Sequence, residues 1–102
     1  MPNVLTNYTA ADAGTSPVTV YTVPASTTGT IVGLQVANTS SSQIAVDVQV
    51  AGVYVIKGAP IPANSALSVL DGKLVVKTTQ TVVVTSDTAT SADVILSVLE
   101  QS

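Results

Sequence analysis

The chain has 102 residues, enough for one domain with a modest core. It is 46% hydrophobic but only 3% aromatic and 9% charged, and it contains no Cys, His, Arg or Trp. Those absences exclude His- or Cys-based catalysis, the usual zinc ligands and any disulfide staple. A net charge of −3 offers no cationic footprint, so neither nucleic acid nor an anionic membrane is an expected partner.

Val and Thr dominate, and both are β-branched and suited to a pleated surface. Residues 1–11 alternate weakly, with Val4, Thr6 and Tyr8 on one side, which predicts an edge strand or an arm. Residues 10–17 are small and polar and read as a loop, so residues 1–17 form an N-terminal arm or edge strand and loop. Residues 18–102 form a single domain. Met1-Pro2-Asn3 shows neither a basic n-region nor an apolar h-region, so no signal peptide is expected.

Val18-Thr19-Val20-Tyr21-Thr22-Val23 is a strand that Pro24 ends, because proline cannot donate to a ladder. Three strands follow as a meander: residues 30–38, 44–50 and 53–57. The middle one alternates cleanly. Ile44, Val46, Val48 and Val50 point one way, and Ala45, Asp47 and Gln49 the other, which marks a half-buried strand. A small break at Ala51-Gly52 leads into the third strand. Gly58-Ala59-Pro60-Ile61-Pro62-Ala63-Asn64-Ser65 reads as a crossover between sheets, with Ile61 as a plug at a sheet edge.

Residues 66–70 and 73–77 are predicted to pair through Asp71-Gly72, a type I′ turn signal. Thr78-Thr79-Gln80 turns again into a strand over residues 81–86. Residues 87–91 form a polar loop. In the last strand Val94, Leu96 and Val98 face one way, and Ile95, Ser97 and Leu99 the other, so both faces are expected to be covered, one by the core and one by a neighbour. The predicted fold is all-β, a β-sandwich of about eight short antiparallel strands of jelly-roll or immunoglobulin-like type.

No residue is assigned to catalysis, a cofactor or a metal. Asp47 belongs to the polar face of its strand and Asp71 to its turn. Asp87 and Asp93 flank one loop with Ser86, Thr88, Thr90 and Ser91, oxygen types that calcium takes, but neither EF-hand spacing nor dense acids accompany them. The glycines precede no helix and make no phosphate loop. Tyr8, Tyr21 and Tyr54 are predicted to pack with solvent-reaching hydroxyls, and Lys57, Lys73 and Lys77 to be solvated strand ends that blunt edge pairing. Asn7-Tyr8-Thr9 and Asn38-Thr39-Ser40 match the short glycosylation sequon.

Tyr21-Thr22-Val23-Pro24-Ala25, followed by Ile31-Val32-Gly33-Leu34-Gln35-Val36-Ala37-Asn38-Thr39, resembles small virion structural proteins of tailed bacteriophages. So do Pro60-Ile61-Pro62-Ala63-Asn64-Ser65-Ala66-Leu67 with Asp71-Gly72-Lys73-Leu74, and the ending Ala92-Asp93-Val94-Ile95-Leu96-Ser97-Val98-Leu99-Glu100. The resemblance covers residues 18–100 and is one of strands and turns. Many members of that group carry Gly-Asp before the penultimate strand, where this chain has Thr79-Gln80, so the turn there is expected to differ. The resemblance implies a non-enzymatic virion protein, foremost a head decoration (cement) protein that bridges capsid subunits, with a neck or tail component next. It also implies virion partners such as the major capsid protein. A cell-surface or host-binding module recognising glycan or protein is the alternative from another class. Scarce charge adds the expectation of a homo-oligomer, a trimer or ring, with contacts near the termini and residues 60–64.

Overall fold

The computed structural model describes residues 3–69, 73–88 and 91–101, with the backbone but not the side chain of Asp12. Asp71-Gly72, expected to form a hairpin turn, lies outside the described residues. Nine strands and no helix occupy them: β1 (Asn3–Ala13), β2 (Val18–Thr22), β3 (Thr28–Asn38), β4 (Ile44–Val50), β5 (Val53–Ile61), β6 (Ala66–Ser68), β7 (Leu74–Val76), β8 (Thr81–Ser86) and β9 (Ala92–Gln101).

The strands form two antiparallel sheets. One runs β1-β9-β3, with β6 and β7 sharing the far side of β3; the other runs β2-β8-β4-β5. The pairing is nested. The first strand pairs with the last, β2 with β8, β3 with β6 and β7, and β4 with β5, and successive nested pairs alternate between the sheets. This is the winding of a jelly roll, a long hairpin bent at β4–β5 and rolled up. It decides against the immunoglobulin-like alternative. The Cα envelope is elongated, 45 × 21 × 20 Å.

The strand alternation predicts the core well. Ile44, Val46, Val48 and Val50 are all buried, as are Val82 and Val84 of β8 and Val94, Leu96 and Val98 of β9. Aliphatic side chains with few rotamers fill the space that aromatics occupy in other sandwiches. β9 runs between β1 and β3, and its outer face (Ile95, Ser97, Leu99) stays open within the chain.

Three features differ from the expectations. The expected meander is split, with β3 in the first sheet and β4 and β5 in the second, and β6 and β7, expected to pair with each other, each pair with β3 among the described residues. Residues 58–61, read as a crossover, continue β5, with Ala45 opposite Pro60 and Ile44 opposite Ile61. β5 is an edge strand, so Pro60 removes no donor that the sheet needs. Gly58 takes a left-handed φ of 64° inside this strand, and the register shifts beside it. The actual turn comes at residues 62–65, where Ser65 N–H donates to Pro62 O at 3.1 Å and Asn64 has a φ of 59°. Ile61, the last residue of this edge strand, is fully buried and plugs the core at the sheet edge. The break at Ala51-Gly52 is a two-residue hairpin turn with φ of 55° and 79°, the type I′ pattern.

The loops gather at two ends. At one end Ser86 N–H donates to Gly14 O, Ser91 N–H to Ala13 O, Thr39 N–H to Ser91 O and Asn38 N–H to Ser65 O. At the other, Val23 N–H donates to Gln80 O, Thr79 N–H to Val23 O and Ala51 N–H to Thr81 O. Asn3 and Gln101 are paired at this second end, so the turn at residues 62–65 lies at the opposite end from the N- and C-terminal strand ends.

Val48→Ala is expected to lower stability by about 1–3 kcal/mol through lost burial and a residual cavity. Val48→Asp should abolish the cooperative thermal transition, because it puts an unpaired charge into the core. An unchanged melting temperature for the aspartate variant would contradict the assigned face.

Candidate functional surface

The acidic side chains among the described residues are spread out and engaged. Asp47 Oδ1 accepts from Gly58 N–H at 2.6 Å, so the carboxylate stitches the β5 irregularity. Asp87 Oδ1 accepts from Ala45 N–H at 3.1 Å and from Thr88 Oγ1 at 3.0 Å. Asp93 sits on the outward side of β9 opposite Ala37. The hydroxyls of the loop weighed for calcium turn inward: Ser86 Oγ and Ser91 Oγ are 2.6 Å apart, and Ser91 Oγ donates to Thr88 O at 2.6 Å. Thr90 lies outside the described residues. Among the described residues no three acids converge as a cation site would need.

Glu100 is the acid that sequence reading missed. The β9 alternation that buries Val94, Leu96 and Val98 also turns Glu100 to the core side, at the end of the sandwich. Its Oε2 accepts from Tyr8 Oη at 2.8 Å and from Tyr21 Oη at 2.7 Å. The two rings stack with centroids 4.5 Å apart. One carboxylate thus ties β1 and β9 of one sheet to β2 of the other. Two of the three tyrosines therefore spend their hydroxyls inside the fold; Tyr54 alone is exposed, with Lys57 Nζ 4.9 Å from its ring centre.

Burial raises the Tyr21 phenol above its ordinary pKa, and the bond to Glu100 raises it further. At Tyr8 the bond is the larger cause and burial the second. Gly29 lies opposite Glu100 and leaves room for this cluster. A Cβ there would stand 3.1 Å from Tyr21 Oη, 3.1 Å from Val76 Cγ2 and 3.2 Å from Val98 Cγ2.

Asn38 is a second hidden hub. It is buried, and its Nδ2 reaches Ser42 O, Ile61 O and Pro62 O at 2.8, 2.9 and 3.1 Å. Its Oδ1 accepts from Ser40 N–H and Oγ. The amide of this sequon match is therefore occupied in holding its own loop, whereas Asn7 is exposed on the outer face of the first sheet.

That outer face is the surface with the most distinctive chemistry. Leu5, Leu99, Thr30 and Val75 form one cross-strand row; Asn7, Ser97 and Gly33 the next; Thr9, Ile95, Gln35 and Ser68 a third. None of these side chains is charged. Leu5 is 71% exposed, Val75 59%, Ile95 43% and Val32 42%. A shallow depression of about 570 Å³ lies among Leu5, Thr6, Asn7, Val32 and Ser97. The opposite face is more polar, with Asp47, Gln49, Thr85 and Thr19. A smaller apolar groove of about 360 Å³ opens between β5 and β7, lined by Val50, Val53, Val55 and Leu74.

Neither a scan against family models nor a search of curated proteins finds a match to this chain.

Two outcomes follow from the tyrosine–glutamate cluster. A phenol whose pKa is raised by folding gives stability that is fully present below about pH 10 and is lost as the pH climbs toward the folded value. Thermal melts from about pH 8 to about pH 11 should therefore show wild type weakening at the alkaline end, and Tyr21→Phe weakening less, from a lower starting point. Parallel curves would mean that Tyr21 does not carry the effect. Gly29→Ala should lower stability by about 1–3 kcal/mol, since two stiff valines and a tethered phenol wall the site; an unchanged melting temperature would contradict this packing.

Proposed function

We propose that this chain is a non-enzymatic structural subunit of a tailed-phage virion, foremost a head decoration protein that bridges neighbouring capsid subunits. The observation that carries the reading is the outer face of the β1-β9-β3 sheet, uncharged along the three cross-strand rows that start at Leu5, Asn7 and Thr9, with Leu5, Val32, Val75 and Ile95 open to solvent and Asp93 one row beyond them. Such a face meets a neighbour without stripping water from charges, and large exposed apolar areas mark interaction surfaces. The strand-and-turn resemblance over residues 18–100 names the class of assembly. The jelly roll agrees with it at the level of analogy, because that architecture recurs in viral capsid domains and equally in lectins.

In this role the protein works by area and shape. A stable contact of this kind buries about 1,200–2,000 Å² in total. A rigid two-sheet body can lie across a capsid seam and resist its opening. A neck or tail component would use the same face in a ring. The test is mass spectrometry with copy-number estimation on purified particles of a phage that encodes the chain. Copies in the hundreds per particle support decoration, a single ring's worth supports neck or tail, and absence from particles overturns the virion reading.

A further inference from the structure

Sheets end in edges, and an unguarded edge is a template for another strand. Three of the four edges here are guarded. β5 carries Lys57, Pro60 and the left-handed Gly58, with shifts in its register. β6 and β7 are three residues each. β2 has five residues, a register break between Thr19 and Tyr21, and prolines at positions 17 and 24. β1 differs from all of these. It has 11 residues, its register with β9 is regular over residues 3–10, residues 3–11 contain no charge and no proline, and its one acid, Asp12, falls in the shifted stretch between Ala10 and Ala13 at one end.

We infer that β1 is a self-pairing edge: two copies of this chain join β1 to β1 antiparallel, continuing the sheet across a two-fold axis. The inference rests on the reading of the chain as an assembly subunit and names the surface that assembles. Three arguments choose a second copy as the occupant. An antiparallel pair of the same strand is self-complementary and closes at two, whereas a head-to-tail addition onto the short β6 and β7 would run on into a filament or ring. Like meets like without repulsion, because residues 3–11 are uncharged although the whole chain is at −3. Regular pairing over residues 3–10 supplies about eight main-chain hydrogen bonds, close to the roughly ten of a standard interface. The outer face also continues across the axis, bringing the exposed Leu5 and its depression beside the same groups of the second copy. The unit is then a dimer rather than the trimer or ring that scarce charge alone suggests.

The test uses the full chain. Sedimentation across the micromolar range should show a monomer–dimer equilibrium. Amide hydrogen exchange at low and high concentration should show protection growing on β1 and not on β5. Leu5→Lys with Thr9→Lys places charges at two exposed positions on that strand and should abolish the dimer while the melting temperature of the monomer holds. A chain that stays monomeric with β1 exchange independent of concentration overturns the inference. So does a dimer that protects β5 instead, or one that the double lysine variant leaves intact. If the double variant does not fold, the exchange measurement on the wild-type chain decides by itself. A β1-paired dimer in a chain absent from particles would sink the virion reading and leave the contact standing; abundant copies in particles with an unpaired β1 would do the reverse.

Discussion

The structure depends on one placement: β9 lies between β1 and β3, in register with both. Asn3 pairs with Gln101 and Thr28 with the same Gln101, so the first sheet joins residues from nearly opposite ends of the chain. Until β9 arrives, β1 has no neighbour in its own sheet and β3 has only the short β6 and β7. The side chains of β9 then serve two purposes. Val94, Leu96 and Val98 close the core, and Glu100, one step further along the same face, receives two phenols. Long-range pairing of this kind carries a loop-closure entropy that must be met before its contacts repay it, which makes jelly rolls slow folders compared with helical bundles.

With so few charges and aromatics, the fold is finished by small polar groups. Thr27 and Thr78 exchange backbone and hydroxyl bonds at one end, at 3.2 and 2.8 Å. Ser86, Ser91 and Asn38 do the same at the other. Among the described residues no buried side-chain nitrogen or oxygen lacks a partner. Hydroxyls and amides satisfy loop backbone at a lower desolvation penalty than ion pairs would, and they leave the outer surface nearly neutral. The same economy has a strained point: Thr79 holds a φ of 70°, a conformation that suits glycine.

The two faces and the four edges are unlike one another. Polar side chains, Asp47 among them, cover the outer face of the β2-β8-β4-β5 sheet, and that sheet's long edge is broken up by Pro60, Lys57 and Gly58. The β1-β9-β3 face is partly apolar, with Asp93 beyond its three uncharged rows, and its long edge is regular over residues 3–10.

Much of this was legible in the sequence because it is local. Period-two alternation places Val46, Val48, Val82, Val84, Val94, Leu96 and Val98 on the core side, and each strand carries that information by itself. What only the tertiary structure decided is whatever depends on which strand lies beside which. Alternation says that a strand has an inside but not who its neighbours are, so jelly roll and immunoglobulin-like windings were equally compatible with it. Pro60 reads as a breaker, and it continues β5 because an edge strand has a side on which no N–H is required. Residues 3–13 read as a weak strand because Leu5, Asn7 and Thr9 mix apolar and polar groups on one face, and pairing with β9 is what holds them. Tyr8, Tyr21 and Glu100 stand 79 and 92 positions apart in their two bonds. No spacing rule reaches that far; the rolled hairpin brings them together by setting the first, second and last strands side by side.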